Sequence, residues 1–189
     1  QTIKLLSGNE INKIKIILLI LTVSFSFDVL AGKENLKRGD MENIINFYQI
    51  TENIGTGGQP TIGELAKIAE ANYSVVVNLA MHDSDNAISE EGDIVSSLGM
   101  KYIHIPVPFE APTSNHLKKF FNVMDSFEEK KVFVHCAVNA RVSAFMHQYL
   151  TLKKGVSSEQ ATSPLLNQWL PTMDSNWKSI MELEIEEIE

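Results

Sequence analysis

A chain of 189 residues that is 44% apolar and 21% charged can bury one ordinary core, and its composition excludes a disordered or fibrous protein. The formal net charge of −8 argues against a nucleic-acid partner, which needs a basic face. A small anionic ligand stays open, because one local nest of donors overrides a diffuse negative surface.

In chain order, residues 1–31 have the pattern of a secretory signal peptide. Lys13 and Lys15 precede an apolar run, Ile16 to Phe27, broken only by Thr22, Ser24 and Ser26, and Val29-Leu30-Ala31 offers a cut before Gly32. The run is short for a membrane span. The expected product is periplasmic or secreted, with no membrane span in its mature form. A single Cys in such a compartment has no internal disulfide partner, so chemistry explains it more readily than structure does.

Residues 32–43 are polar and read as a linker. Ile44 to Ile54 alternate loosely, as an opening strand pair would. Gly55 to Pro60 read as a turn, with glycines at positive φ and Pro60 fixing the entry to a helix. Thr61 and Glu64 form a capping box ahead of Leu65, Ile68 and Ala69. Val75 to Leu79 are a buried strand of a mostly parallel sheet. The loop after it holds His82, Asp83 and Asp85 without metal-ligand spacing, and reads as solvated. Ser89 is the expected cap of a helix that runs through Ile94, Val95 and Leu98 to Gly99. Tyr102 to Val107 form the next strand. A stiff loop follows, with Pro106, Pro108 and Pro112 around Glu110. From Ser114, a helix buries Leu117, Phe120, Phe121, Met124 and Phe127.

The next stretch, KVFVHCAVNARVSAF (Lys131 to Phe145), changes abruptly. Val132, Phe133 and Val134 form a buried strand. His135 and Cys136 end it, Ala137, Val138, Asn139 and Ala140 make a tight loop, and Arg141 and Ser143 open a helix. A loop that enters a helix leaves several backbone N–H groups aimed at one spot, with positive helix-dipole potential there. A Cys at that spot offers a nucleophile. An Arg beside it offers a planar fork for phosphate oxygens.

This stretch resembles the active-site loop of the cysteine-dependent phosphatases, the tyrosine and dual-specificity group, and is similar to a bacterial branch of small phosphatase-like proteins. Three further segments carry the resemblance: GQPT (Gly58 to Thr61), VVVNLA (Val75 to Ala80) and HIPVPFEAPT (His104 to Thr113). It implies hydrolysis of phosphate monoesters, of a protein or a small molecule, through a phosphocysteine. Cys136 would be the nucleophile. The backbone of Ala137, Val138, Asn139, Ala140 and Arg141 would hold the phosphate. His135 would support the loop, and Ser143 would assist the departure of the cysteine. No metal or cofactor is called for. Where related loops carry an acidic Asp, this chain has Pro108, so Glu110, Asp83 and Asp85 are all candidate proton donors.

The phosphatase pattern places five residues between Cys and Arg, whereas this chain has four. A loop of that length is also found in rhodanese-like sulfurtransferases, so sulfur transfer through a Cys136 persulfide is a second reading. A non-catalytic phosphate- or phosphoprotein-binding module is a third. The expected fold class is α/β: a single domain like that of the dual-specificity phosphatases, with a mostly parallel central sheet flanked by helices. That phosphatase-like domain would span 44–180. Trp169 and Trp177 would pack on it, and 181–189 would be a frayed or acidic tail.

Overall fold

The computed structural model describes residues 41–188. The described residues belong to one compact unit, Asp40–Glu189. The signal-peptide expectation and nearly all of the linker lie outside them.

Among the described residues, five strands form one sheet in the order β1-β2-β5-β3-β4. They are β1 (Tyr48–Thr51), β2 (Ile54–Gly57), β3 (Val75–Asn78), β4 (Lys101–His104) and β5 (Val132–His135). β1 and β2 are the expected antiparallel opening pair, and every other pairing is parallel. Seven helices complete the described fold: α1 (Ile62–Glu70), α2 (Glu91–Ser97), α3 (Ser114–Ser126), α4 (Ala140–Gln148), α5 (Ser158–Ala161), α6 (Pro164–Trp169) and α7 (Ser175–Met181).

The central strand divides the core by parity. Successive side chains of a strand alternate between faces. Val132 and Val134 join Val75, Val77, Phe120, Phe145 and Trp177 on one side. Phe133 joins Val76, Leu65, Ile68 and Val95 on the other. Cys136 belongs to the first cluster. His135 keeps the parity of Phe133, against whose ring it stacks. The register brings Gly57, His135, Asn78 and His104 into one row at the carboxyl ends of four parallel strands. Open α/β sheets bind ligands at that edge.

Several local expectations change. The segment Gly55 to Pro60 is not a turn, because Ile54–Gly57 is β2 and the positive-φ glycines among the described residues are Gly99 and Gly155. Packing demands small residues here instead. A Cβ at Gly57 would sit 2.8 Å from the Ile44 side chain, and one at Gly58 would sit 2.9 Å from Ile45 and 3.0 Å from the Ala137 carbonyl oxygen. Ser89 does not cap α2; Glu90 occupies that position and makes no side-chain cap bond. The strand expected over Tyr102 to Val107 is shorter, Lys101–His104. Met41, assigned to the linker, is buried in the smaller cluster. The tail docks as well: Ile185–Glu187 form a 3-10 turn and Ile188 enters the main core.

Other expectations agree with the structure. Thr61 and Glu64 make the capping box of α1, and α3 buries Leu117, Phe120, Phe121 and Met124. Helix α4 is buried from Arg141 through Gln148, and an all-round buried helix needs a partner for each polar group. Gln148 Nε2 meets this need by donating to the Ile180 and Leu183 carbonyls, which ties the chain's last helix to the one that leaves the Cys136 loop.

Candidate active site

Cys136 lies one residue past the end of β5, and Asn139 turns the chain into α4 with φ +70°. The left-handed region is unfavourable for most side chains, but Asn tolerates it. Here the Asn amide also fastens the loop, its Nδ2 donating to the Asn46 carbonyl at 2.7 Å and to Thr56 Oγ1 at 3.2 Å. The loop carbonyls are taken by outside donors. Ala137 O accepts from Gln59 N at 3.1 Å and from Asn86 Nδ2 at 2.9 Å. Val138 O accepts from Asn46 Nδ2 at 2.9 Å. Asn139 O and Ala140 O accept from the backbone N–H and hydroxyl of Ser143. In a planar trans peptide the N–H points opposite the C=O. Anchoring these four carbonyls turns the N–H groups of the same peptides the other way, apart from the one engaged by the antiparallel bridge between Gly58 and Val138.

Arg141 lies in the first turn of α4 and is only 8% exposed. Its guanidinium carbon is 5.5 Å from the centre of the Phe109 ring, a cation–π contact. Its Nε has no hydrogen-bond partner, and no carboxylate pairs with it among the described residues. A mostly buried cation without a counter-ion is unfavourable, and the terminal guanidinium nitrogens, which are not among the buried unpaired atoms, keep the access that an incoming anion needs. The site is therefore charged for an anion that the chain does not itself supply.

Phe109 belongs to the segment that carries Glu110, and α7 holds this segment in place. Trp177 Nε1 donates to Phe109 O at 2.8 Å and Asn176 Nδ2 donates to Glu110 O at 2.7 Å. Phe109 also packs on Trp169 and Trp177. The Glu110 side chain is exposed, as are Asp83 and Asp85. The loop bearing those two aspartates reaches the Cys136 loop through Asn86. Ser143 donates its hydroxyl to Ala140 O at 2.8 Å and lines a cavity of about 30 Å³ with Tyr48, Ile50 and Thr56. Its hydrogen bond goes to the helix backbone and not to Cys136. Among the described residues, no group of three or more His, Cys, Asp or Glu side chains converges as a metal site would.

On the other face of the sheet, His135 meets a carboxylate that the sequence reading did not single out. Glu91, 3% exposed, accepts from Gln59 Nε2 at 2.5 Å, from Asn78 Nδ2 at 2.8 Å and from the Tyr102 hydroxyl at 2.9 Å. Its Oε1 is 3.3 Å from His135 Nε2. Burial holds the His135 imidazole below its ordinary range, while Glu91 and the Cys136 backbone pull the other way. Burial, and then the charge of Glu91, pushes the Tyr102 phenol above its usual value. A helical signal for Glu91 was present in the sequence: it lies four residues before Val95, on the stripe that buries α2.

The chain as a whole is similar to known proteins. The family model described as "DSP-PTPase phosphatase fused to NAD+ Kinase" matches residues 38–183. The chain is similar to the DUF442 protein of Shewanella putrefaciens CN-32 in two crystal structures. One is 30% identical with a TM-score of 0.68, covering 76% of this chain and 90% of that one. The other is 29% identical with a TM-score of 0.69, covering 76% and 93%. It also shares its fold with Tk-PTP, at 20% identity and a TM-score of 0.57 over 72% of this chain and 94% of that one. No curated protein matches it.

Proposed function

The chain belongs to the family of dual-specificity-type cysteine phosphatases whose model spans residues 38–183, and on that premise we propose that it hydrolyses phosphate monoesters through a phosphocysteine on Cys136. The observation that carries this reading is Arg141, only 8% exposed and without a carboxylate partner among the described residues, in the first turn of the helix that leaves the Cys136 loop. A phosphoryl group supplies the missing anion. Its equatorial oxygens accept hydrogen bonds from the loop N–H groups and from the guanidinium, and the transition state gains most from such prepared donors.

In the first step the Cys136 thiolate attacks phosphorus in line. The S–P bond forms, the bond to the ester oxygen breaks, and that oxygen takes a proton from an acid on one of the two neighbouring segments. Glu110 is the favoured donor, because its neighbour Phe109 lies against Arg141. Water then attacks the phosphocysteine and returns a proton to the ionised acid, the S–P bond breaks, and thiolate and inorganic phosphate are released. Asn139 matters here for its backbone and for the turn it permits.

The test is aryl-phosphate hydrolysis by the full chain beside Cys136→Ser. Turnover is expected to vanish in the variant while phosphate binding persists. Full activity in Cys136→Ser would overturn the mechanism, and phosphate binding without turnover in the wild type would leave a binding module. Export directed by residues 1–31 belongs to the same proposal, and the N-terminal residue of the mature protein reads it directly.

A further inference from the structure

We propose that Glu91 is a positioning residue for the nucleophile, acting through His135; this rests on the phosphatase reading above. Glu91 opens α2, and β3, β4 and the segment after β2 each send it a donor. Four N or O atoms surround one carboxylate group, with the imidazole of His135 at 3.3 Å. A carboxylate held this way has one orientation available to it, and presents an oxygen to the ring at a fixed place. An apolar side chain would pack this face of α2 without the desolvation cost of a buried charge. The carboxylate is explained by what it holds.

The parity of β5 shows why holding the ring matters. His135 and Cys136 are consecutive, so their side chains leave the strand on opposite faces. Glu91 has no path to the nucleophile on the substrate side. It reaches Cys136 through the peptide that joins the two residues, where the orientation of the His135 ring meets the backbone that begins the phosphate loop. Tyr102 and Asn78 hold Glu91 and each other, since Asn78 Nδ2 also donates to the Tyr102 hydroxyl at 3.0 Å. Asn78 Oδ1 accepts from Ala80 N at 2.7 Å, which ties the end of β3 into the same assembly. The 3.3 Å approach is an ion-pair distance and neither ring nitrogen of His135 makes a hydrogen bond among the described residues, so the proton is assigned to Nε2, the nitrogen that faces Glu91.

Two measurements on the full chain test this. The first is the ¹⁵N spectrum of the histidine rings in the wild type, Glu91→Gln and Tyr102→Phe, with His135→Asn to assign the signal. The wild type is expected to show the Nε2–H tautomer at neutral pH, and Glu91→Gln a shift toward a tautomer mixture. The second is a double-mutant cycle on aryl-phosphate turnover. Glu91→Gln is expected to lower kcat about 10- to 100-fold with KM within about threefold, as supporting partners of reactive groups do. His135→Asn is expected to lower it by a similar factor, and the double variant to be no worse than either, because residues that act as a unit are not additive. Tyr102→Phe deletes one hydroxyl and serves if Glu91→Gln does not fold. Its loss of about threefold is expected to disappear on the His135→Asn background.

An unchanged His135 tautomer in Glu91→Gln, or fully additive losses in the cycle, would overturn the proposal and leave Glu91 as a brace between α2 and the sheet. The ring spectrum needs no turnover. A wild type that hydrolyses nothing therefore counts against the phosphatase reading, while the tautomer result still decides the role of Glu91.

Discussion

The loop from Cys136 to Arg141 and the two segments that flank it, 81–90 and 105–113, are built on different plans. The loop is over-determined: four of its carbonyls are taken by donors outside it or on its own helix, and its one left-handed residue anchors it to two more groups. The flanking segments carry the candidate acids on exposed side chains, and each is fastened by its backbone or by a neighbouring side chain. The positive field is prepared in advance, whereas the proton donor is held at arm's length. Oxyanion binding should therefore survive changes that remove turnover, and only changes inside the loop should remove both.

The strongest test of that contrast is Arg141→Met. Turnover is expected to fall about 10³-fold and oxyanion binding to fall with it. Stability in phosphate-free buffer should rise by about 1–2 kcal/mol, because a buried unpaired charge has been removed. A urea midpoint that falls would contradict this account of Arg141. Next in size is Glu110→Gln, for which a loss of about 10²-fold is expected on an alkyl phosphate and much less on a nitrophenyl ester, whose leaving group needs little protonation. Vanadate affinity should not change. A larger loss in Asp83→Asn or Asp85→Asn would move the acid to the loop after β3.

Trp177→Phe keeps an aromatic ring in the core but removes the N–H that holds Phe109 O. A loss of about 1–2 kcal/mol in stability is expected from the urea midpoint, since a buried carbonyl loses its partner. A loss of about threefold in turnover should accompany it, from a looser acid segment. The smallest effect is one of pH. Burial keeps the folded His135 below the value of 6.5 that its unfolded form takes. Above that value both states are neutral and His135 contributes nothing. Below it the unfolded chain binds the extra proton, so folded stability falls as pH drops, by at most about 1.4 kcal/mol per pH unit from this group. Urea midpoints at pH 7.5 and 5.5 should show a shallower fall in His135→Asn than in the wild type.

The strand, loop and helix around Cys136 were legible because each is a local pattern: an apolar run, a change to small and polar residues, then helical spacing. The capping box of Thr61 and Glu64 and the buried face of α3 were legible for the same reason. What the sequence hid was tertiary. Gly57 and Gly58 read as turn residues, but they are small because Ile44, Ile45 and the Ala137 carbonyl lie against them. Glu91 was not singled out in the sequence, and only the packing of α2 beside β3 and β4 shows that three donors converge on it. Ser143 was expected to face Cys136, yet position along the chain does not fix where a helical hydroxyl points, and it donates to Ala140 O. Ile188 looked like part of a charged tail, but it is buried in the core.

Selection can act on the two faces of β5 separately. Variation in α2 or at Tyr102 reaches the reactive sulfur from behind, through His135, and alters no surface that an incoming ester meets. Variation in the segment of Phe109 and Glu110, or at the exposed Val138, alters that surface and leaves the carboxylate assembly untouched. Lineages that share this chain's layout can thus drift in reactivity and in substrate choice along independent axes, and a swap of one face between relatives should transplant one property without the other.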